Sequence, residues 1–162
     1  MKKFLLSGVI VVMAVAISCA QSPKASAEGK GVKVNYGQPS KKGRVIFGGL
    51  EPYGKVWRAG ANNATEITFD KDVKFGGKEV KAGTYTLFAT PNEKEWTIIL
   101  NSELKQWGAY KYEEIKGKDV VHVTVPVKKL DDVVEKLTYR FTDKNALVIE
   151  WDQTQVTIPI ES

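Results

Sequence analysis

The chain has 162 residues, 43% hydrophobic, 27% charged and 10% aromatic, with 14 Gly and 6 Pro. That soluble composition excludes a collagen-like repeat, a disordered polymer, a disulfide-stapled miniprotein and a multi-span membrane protein. One Cys and one His are too few for a zinc site built from such ligands, and a formal charge of +5 is only mildly basic.

Lys2 and Lys3 precede an apolar run over residues 4–17, too short and too rich in small residues for a comfortable membrane span. Residues 1–18 therefore read as a signal peptide. Ala16-Ile17-Ser18-Cys19 resembles a lipobox, whose Cys becomes acylated and N-terminal, and lipidation at Cys19 is the favoured reading. Ser18-Cys19-Ala20 and Ala25-Ser26-Ala27 also fit the small-x-small rule of ordinary signal peptidase. The expected location is the cell envelope, as a periplasm-facing or outer-membrane lipoprotein. The alternative is a soluble periplasmic or secreted protein. Loss of Lys2 and Lys3 with the leader leaves a net charge of +3, and the densest basic run, Ser40-Lys41-Lys42-Gly43-Arg44, is short. Nucleic acid is not an expected partner of such an exported chain.

Residues 19–31, rich in Ser, Ala, Lys and Gly, are expected to be a flexible tether, and residues 32–162 a single β-sandwich domain. Period-2 alternation dominates that domain. Thr65, Ile67 and Phe69 share a face, followed by Val73 and Phe75, and Gly76-Gly77 marks a tight hairpin. Tyr85, Leu87 and Ala89 form the next face, then Trp96, Ile98 and Leu100 after a turn at residues 91–94. Val121, Val123 and Val125 alternate with His122 and Thr124. Leu137, Tyr139 and Phe141 follow, then Leu147, Ile149 and Trp151, and finally Val156, Ile158 and Ile160. A short helix or irregular loop is expected within residues 102–114, and one helical turn within residues 128–134. The fold class is all-β: an antiparallel sandwich of about eight or nine strands.

Several segments carry a family resemblance. They are Tyr36-Gly37-Gln38-Pro39-Ser40-Lys41-Lys42-Gly43-Arg44, Ile46-Phe47-Gly48-Gly49-Leu50 and Pro52-Tyr53-Gly54-Lys55-Val56-Trp57-Arg58-Ala59-Gly60-Ala61-Asn62. Ala82-Gly83-Thr84-Tyr85-Thr86-Leu87-Phe88, Trp96-Thr97-Ile98-Ile99-Leu100-Asn101 and Gln106-Trp107-Gly108-Ala109-Tyr110 continue it. Over residues 32–160 the chain closely resembles the bacterial envelope family catalogued as domain of unknown function 2911. The resemblance implies a secreted or lipid-anchored protein, and it transfers neither an activity nor a catalytic residue.

Residues 52–63 hold the densest unusual composition, with Trp57, Arg58, Asn62 and Asn63 between two strands. Only three of the 24 basic residues are Arg, namely Arg44, Arg58 and Arg140. A planar bidentate donor at Arg58 suits a ligand carboxylate or phosphate, or else an internal salt bridge to Glu51 or Glu66. Trp107, Tyr110 and Tyr112 offer ring faces that could stack on a sugar or peptide, or cap an open end of the sandwich. The candidate ligand-binding residues are thus Trp57, Arg58, Asn62, Trp107 and Tyr110.

His122 lies on the strand face opposite Val121 and Val123, where an exposed role is expected. No Gly-x-Ser-x-Gly elbow, calcium loop or nucleotide loop is present, so no catalytic residue, metal or cofactor is assigned. The expected function is a non-catalytic binding or scaffolding module, anchored to the membrane through lipid and facing a glycan, a peptide or an envelope protein. The alternative is a hydrolase whose carboxylate pair or His122 converges only in three dimensions.

Overall fold

A computed structural model of the chain describes residues 20–162. The leader and Cys19 lie outside the described residues. Strand β1 (Lys24–Gly29) turns back at Lys30-Gly31 to pair with β2 (Val32–Gly37). Beyond β2 the same antiparallel sheet adds β3 (Thr65–Phe69), β6 (Gly83–Pro91), β7 (Glu95–Asn101) and β8 (Asp119–Pro126). Two smaller sheets complete the architecture. One pairs β9 (Lys128–Phe141) with β10 (Leu147–Ile158), and the other sets β4 (Val73–Phe75) between β5 (Lys78–Val80) and β11 (Ile160–Glu161). The fold is an all-β antiparallel sandwich. Among the described residues the only helical segment is α1 (Tyr112–Ile115) with the 3-10 turn Lys116–Lys118, at the end of the stretch where a short helix is expected.

Alternation specifies the layers. Val34, Ile67, Leu87, Ile98 and Val123 are buried on one face of the large sheet, and register brings each beside its neighbour's apolar residue. Leu137, Tyr139, Ile149 and Trp151 meet them from β9 and β10. On the opposite face of the large sheet, Phe88 and Ile99 are covered by Ala64 and by Tyr112 of α1, which makes a small second core. Gly76 and Gly77 have φ of +57° and +82° and close the β4–β5 hairpin as the paired glycines predict.

Residues 38–64 cross one end of the sandwich. Phe47 and Trp57 from this crossing pack against Trp96 and Trp151. The Trp57 and Trp151 rings stack with centroids 6.1 Å apart at 20°, while Trp96 meets Trp57 edge-on at 5.9 Å. Such pairs add about 0.5–1.5 kcal/mol beyond the area they bury.

Three expectations are corrected. The strand β1 occupies residues 24–29 of the segment read as a tether. Small side chains make β1 look flexible, but the open edge of β2 supplies hydrogen-bond partners for it, and Ala25 and Ala27 pack against the core. Residues 128–134 are strand rather than helical turn. Register shifts on β10 around Asp152, whose φ is +55°, displace the side-chain phase there and hide the period of two. Among the described residues the strands number eleven rather than about eight or nine.

Trp151 is 1% exposed and Val133 is 52% exposed. Trp151→Ala should therefore cost about 3–5 kcal/mol and Val133→Ala less than about 0.5 kcal/mol in denaturant melts. Equal losses would contradict the layer assignment.

Candidate functional site

The crossing segment decides where its polar residues point. Trp57 N–H donates to the Ala89 carbonyl at 2.7 Å, and Ala89 N–H returns a bond to the Trp57 carbonyl at 3.0 Å. This bridge imposes strand alternation on Trp57 and Arg58. Trp57 consequently faces inward, 3% exposed, with its indole N–H donating to the Gly60 carbonyl at 3.2 Å. It belongs to the core, which corrects its reading as a ligand-binding residue. Arg58 emerges on the outer side.

Beyond Arg58 the chain folds back tightly, with positive φ at Ala59 and Asn62. It runs so close to the end of β2 that a Cβ on Gly37 would lie 2.0 Å from the Ala61 carbonyl oxygen. Only glycine fits there. Asn62 tolerates the left-handed conformation and becomes a junction of three segments. Its carbonyl accepts from Arg58 Nη1 at 2.9 Å and from Gly108 N–H at 3.1 Å, and its Nδ2 donates to the Ser22 carbonyl at 3.0 Å. Further bonds tie residues 105–108 to the same place. Asn63 bridges to Trp107, Ala64 N–H donates to the Gln106 carbonyl at 2.8 Å, and Lys105 N–H donates to Glu66 Oε1 at 3.0 Å.

Trp107 is thereby held 55% exposed, and Tyr110 stands 77% exposed with the Arg58 guanidinium 5.6 Å from its ring centre. Arg58, Asn62, Trp107 and Tyr110 are brought together, so four of the five candidate residues share one location. A groove of about 700 Å³ opens between residues 21–26 and the Trp107 loop. Its walls mix polar and apolar groups: Ser22, Lys24, Asn35, Asn63, Glu66 and Lys105 join Asn62 and Trp107, beside Ala25, Tyr36, Ala61 and Ala64. Sequence reading missed Asn35, Asn63, Glu66 and Lys105 as lining residues. The available signal was modest: Asn35 and Glu66 occupy outward positions of β2 and β3 and are direct cross-strand partners.

Arg58 forms an ion pair with neither suggested carboxylate among the described residues. Glu66 is engaged by the Lys105 backbone. Glu51 is partly buried, and burial raises its pKa from the ordinary 4.5 to about 7, with the nearby charges of Arg58 and Arg44 pulling weakly the other way.

His122 is exposed, as expected, and its Nε2 lies 2.8 Å from Asp119 Oδ2. The same carboxylate accepts from the Tyr112 hydroxyl at 2.5 Å and from Asn101 Nδ2 at 2.8 Å. Burial and the Asp119 charge push the Tyr112 hydroxyl to higher pKa, which keeps it a proton donor. The cluster fastens α1 to strand β8: Tyr112 covers Phe88 while its hydroxyl is held by Asp119. Asp70 and Asp72 flank the turn before β4, and Asp72 accepts from Lys81 and from the Ala82 N–H, which closes the hairpin base.

The family model described as "Protein of unknown function (DUF2911)" matches residues 18–160. The chain belongs to that family. No curated protein and no solved structure matches it.

Two predictions follow from the site's electrostatics. Arg58 is held by a carbonyl and a ring, not by a buried carboxylate. Arg58→Ala should therefore lose about 1–2 kcal/mol rather than the roughly 3–5 kcal/mol of a broken buried pair. In a double-mutant cycle, Glu66→Gln should show almost no coupling to it, whereas coupling above about 1 kcal/mol would identify an ion pair.

Glu51 holds its proton in the fold up to pH about 7, whereas the unfolded chain releases it near 4.5. Its contribution to stability is thus full below pH 4.5 and is lost as pH rises through 7. Discounted for partial exposure, the drop should be about 1–2 kcal/mol. Glu51→Gln should remove it, flattening stability measured between pH 4 and 8 by about that amount.

Proposed function

We propose that the protein is an exported, lipid-anchored binding module that holds a saccharide chain of the cell envelope in the groove beside Trp107. The observation that carries this reading is the exposed Trp107 ring at the lip of an open groove lined by Asn35, Asn63, Glu66 and Lys105. A sugar ring presents a face of C–H groups and a rim of hydroxyls. An exposed indole complements the first, and amides, a carboxylate and an ammonium complement the second. Backbone bonds on both sides of Trp107 hold it out before any ligand arrives, which reduces the ordering cost of binding. Export is supported by the basic and apolar leader, and anchoring by the Ser18-Cys19 junction. An acyl chain at Cys19 would contribute about 0.8 kcal/mol per buried methylene.

Two measurements test this reading. In the full chain carrying Cys19→Ala, soluble amino-sugar oligosaccharides should change the tryptophan emission on titration. Trp107→Ala should weaken binding at least about tenfold, or 1.4 kcal/mol, with the melting midpoint little altered. Unchanged binding in Trp107→Ala would move the ligand elsewhere. For the anchor, mass spectrometry of the parent should show acyl mass on Cys19, and Cys19→Ala should leave the membrane fraction. A parent without acyl mass would remove the anchor from the proposal.

A further inference from the structure

We propose that the end of the molecule from which the chain leaves toward Cys19 is a membrane-docking face, on which the loop 45–53 inserts an apolar tip among anionic lipid headgroups. The orientation rests on the lipid anchor proposed above. The surface itself is argued from the fold.

Topology gathers the relevant segments at one end. The Pro23 carbonyl accepts from Gln38 N–H at 2.8 Å, just beyond the end of β2. Gly54 N–H donates to the Pro91 carbonyl at 2.9 Å, where β6 ends, and Trp57 bridges to Ala89. The segment leading into β1, the loop 45–53 and the Trp107 loop therefore occupy the same end. Among the described residues, seven large apolar side chains are exposed, and five of them belong here: Val45, Leu50, Tyr53, Trp107 and Tyr110. The other two, Val120 and Val133, sit elsewhere on β8 and β9. Isolated exposed apolar residues are ordinary, but their collection at one end is not explained by folding.

The tip is built rather than frayed. Four backbone bonds brace it: Gly48 N–H to the Glu51 carbonyl, Gly49 and Glu51 N–H to the Ile46 carbonyl, and Leu50 N–H to the Val45 carbonyl, all at 2.9–3.2 Å. Ile46 and Phe47 root it in the core. Gly48 has φ +83°, and a Cβ there would lie 2.7 Å from the Tyr53 ring; one on Gly49 would lie 3.0 Å from Val45 side-chain atoms. Val45, the two glycines and Tyr53 thus form a continuous surface, with Val45 70% exposed. A rigid scaffold that presents Val45, Leu50 and Tyr53 to water gains nothing by it in the isolated molecule.

Charge and reach select the occupant. Residues 38–64 carry Lys41, Lys42, Arg44, Lys55 and Arg58 against one carboxyl of their own, Glu51. With Asp152, which pairs with Lys41 at 2.8 Å, and Glu135, which accepts from Lys42 N–H at 2.8 Å, the balance is +2. Glu51 holds its proton up to about pH 7, which reduces even that offset. Basic residues at an anionic leaflet contribute about 1 kcal/mol each, and Trp and Tyr favour the headgroup level. Because β1 begins at Lys24, the segment from Cys19 to the fold is five residues and spans at most about 18 Å when extended. An acyl chain on Cys19 would hold this end against the bilayer.

The test uses the full chain. In the acylated protein reconstituted into anionic vesicles, a Leu50→Trp variant should be quenched by brominated acyl chains more than the parent. With Cys19→Ala, the chain should sediment with phosphatidylglycerol vesicles and far less with phosphatidylcholine. Adding Val45→Glu and Leu50→Glu should reduce that binding at least tenfold while melting stays unchanged. Absence of extra quenching in acylated Leu50→Trp would overturn docking and leave the anchor standing. Vesicle binding by a parent without acyl mass would do the reverse. If the two Glu substitutions instead convert a dimer to a monomer in light scattering, the face belongs to a second copy and the proposal is wrong.

Discussion

Packing of Trp57 against Trp151 and Trp96 is the interaction on which the rest of this structure depends. A sandwich leaves its ends open, and here one end is closed by residues 38–64, which run without regular secondary structure across it. Such a segment has little local preference for one conformation. It is held because Phe47 and Trp57 insert between the layers and because the Trp57 backbone pairs with Ala89. Inward Trp57 forces Arg58 outward, the fold-back at Ala59 and Asn62 follows, and Asn62 then collects Ser22, ahead of β1, and the Trp107 loop. The groove is a consequence of how the core is closed.

This arrangement separates two jobs that the local sequence mixes. The motif Trp57-Arg58 reads as one site because its members are adjacent, yet a strand-like backbone sends neighbours to opposite faces. The indole stabilises the core, and the guanidinium orders the Asn62 turn while packing under Tyr110. A similar division occurs at Tyr112 and Tyr110. Tyr112 covers Phe88 and Ile99, whereas Tyr110 remains in solvent. His122, Asp119 and Tyr112 come together, but their hydrogen bonds converge on one carboxylate oxygen and fasten α1 to the sheet. The strongest polar features of this protein thus secure covering segments. The groove is left with side chains suited to hydrogen bonding, and the 45–53 loop with side chains suited to an apolar surface.

The all-β class, the strand faces, the Gly76-Gly77 hairpin and the exposure of His122 were all legible, because each follows from local periodicity or turn stereochemistry. Burial of Trp151 followed in the same way. What the sequence could not reveal has identifiable causes. Strand β1 is made of Lys, Ala, Ser, Glu and Gly, and is specified by the open edge of β2 rather than by its own side chains. The start of β9 is disguised because its partner changes register twice around Asp152. The groove lining draws on β1, β2, β3 and two loops, so no local window contains it. Likewise, whether Arg58 meets a carboxylate or a carbonyl depends on where a fold-back 4 residues later returns. By itself the sequence determined which residues face the core, since a pleated strand turns alternation directly into sidedness. Only the tertiary structure decided which outward residues meet, because that is set by register, by closure of the sandwich end and by backbone approach such as Gly37 against Ala61.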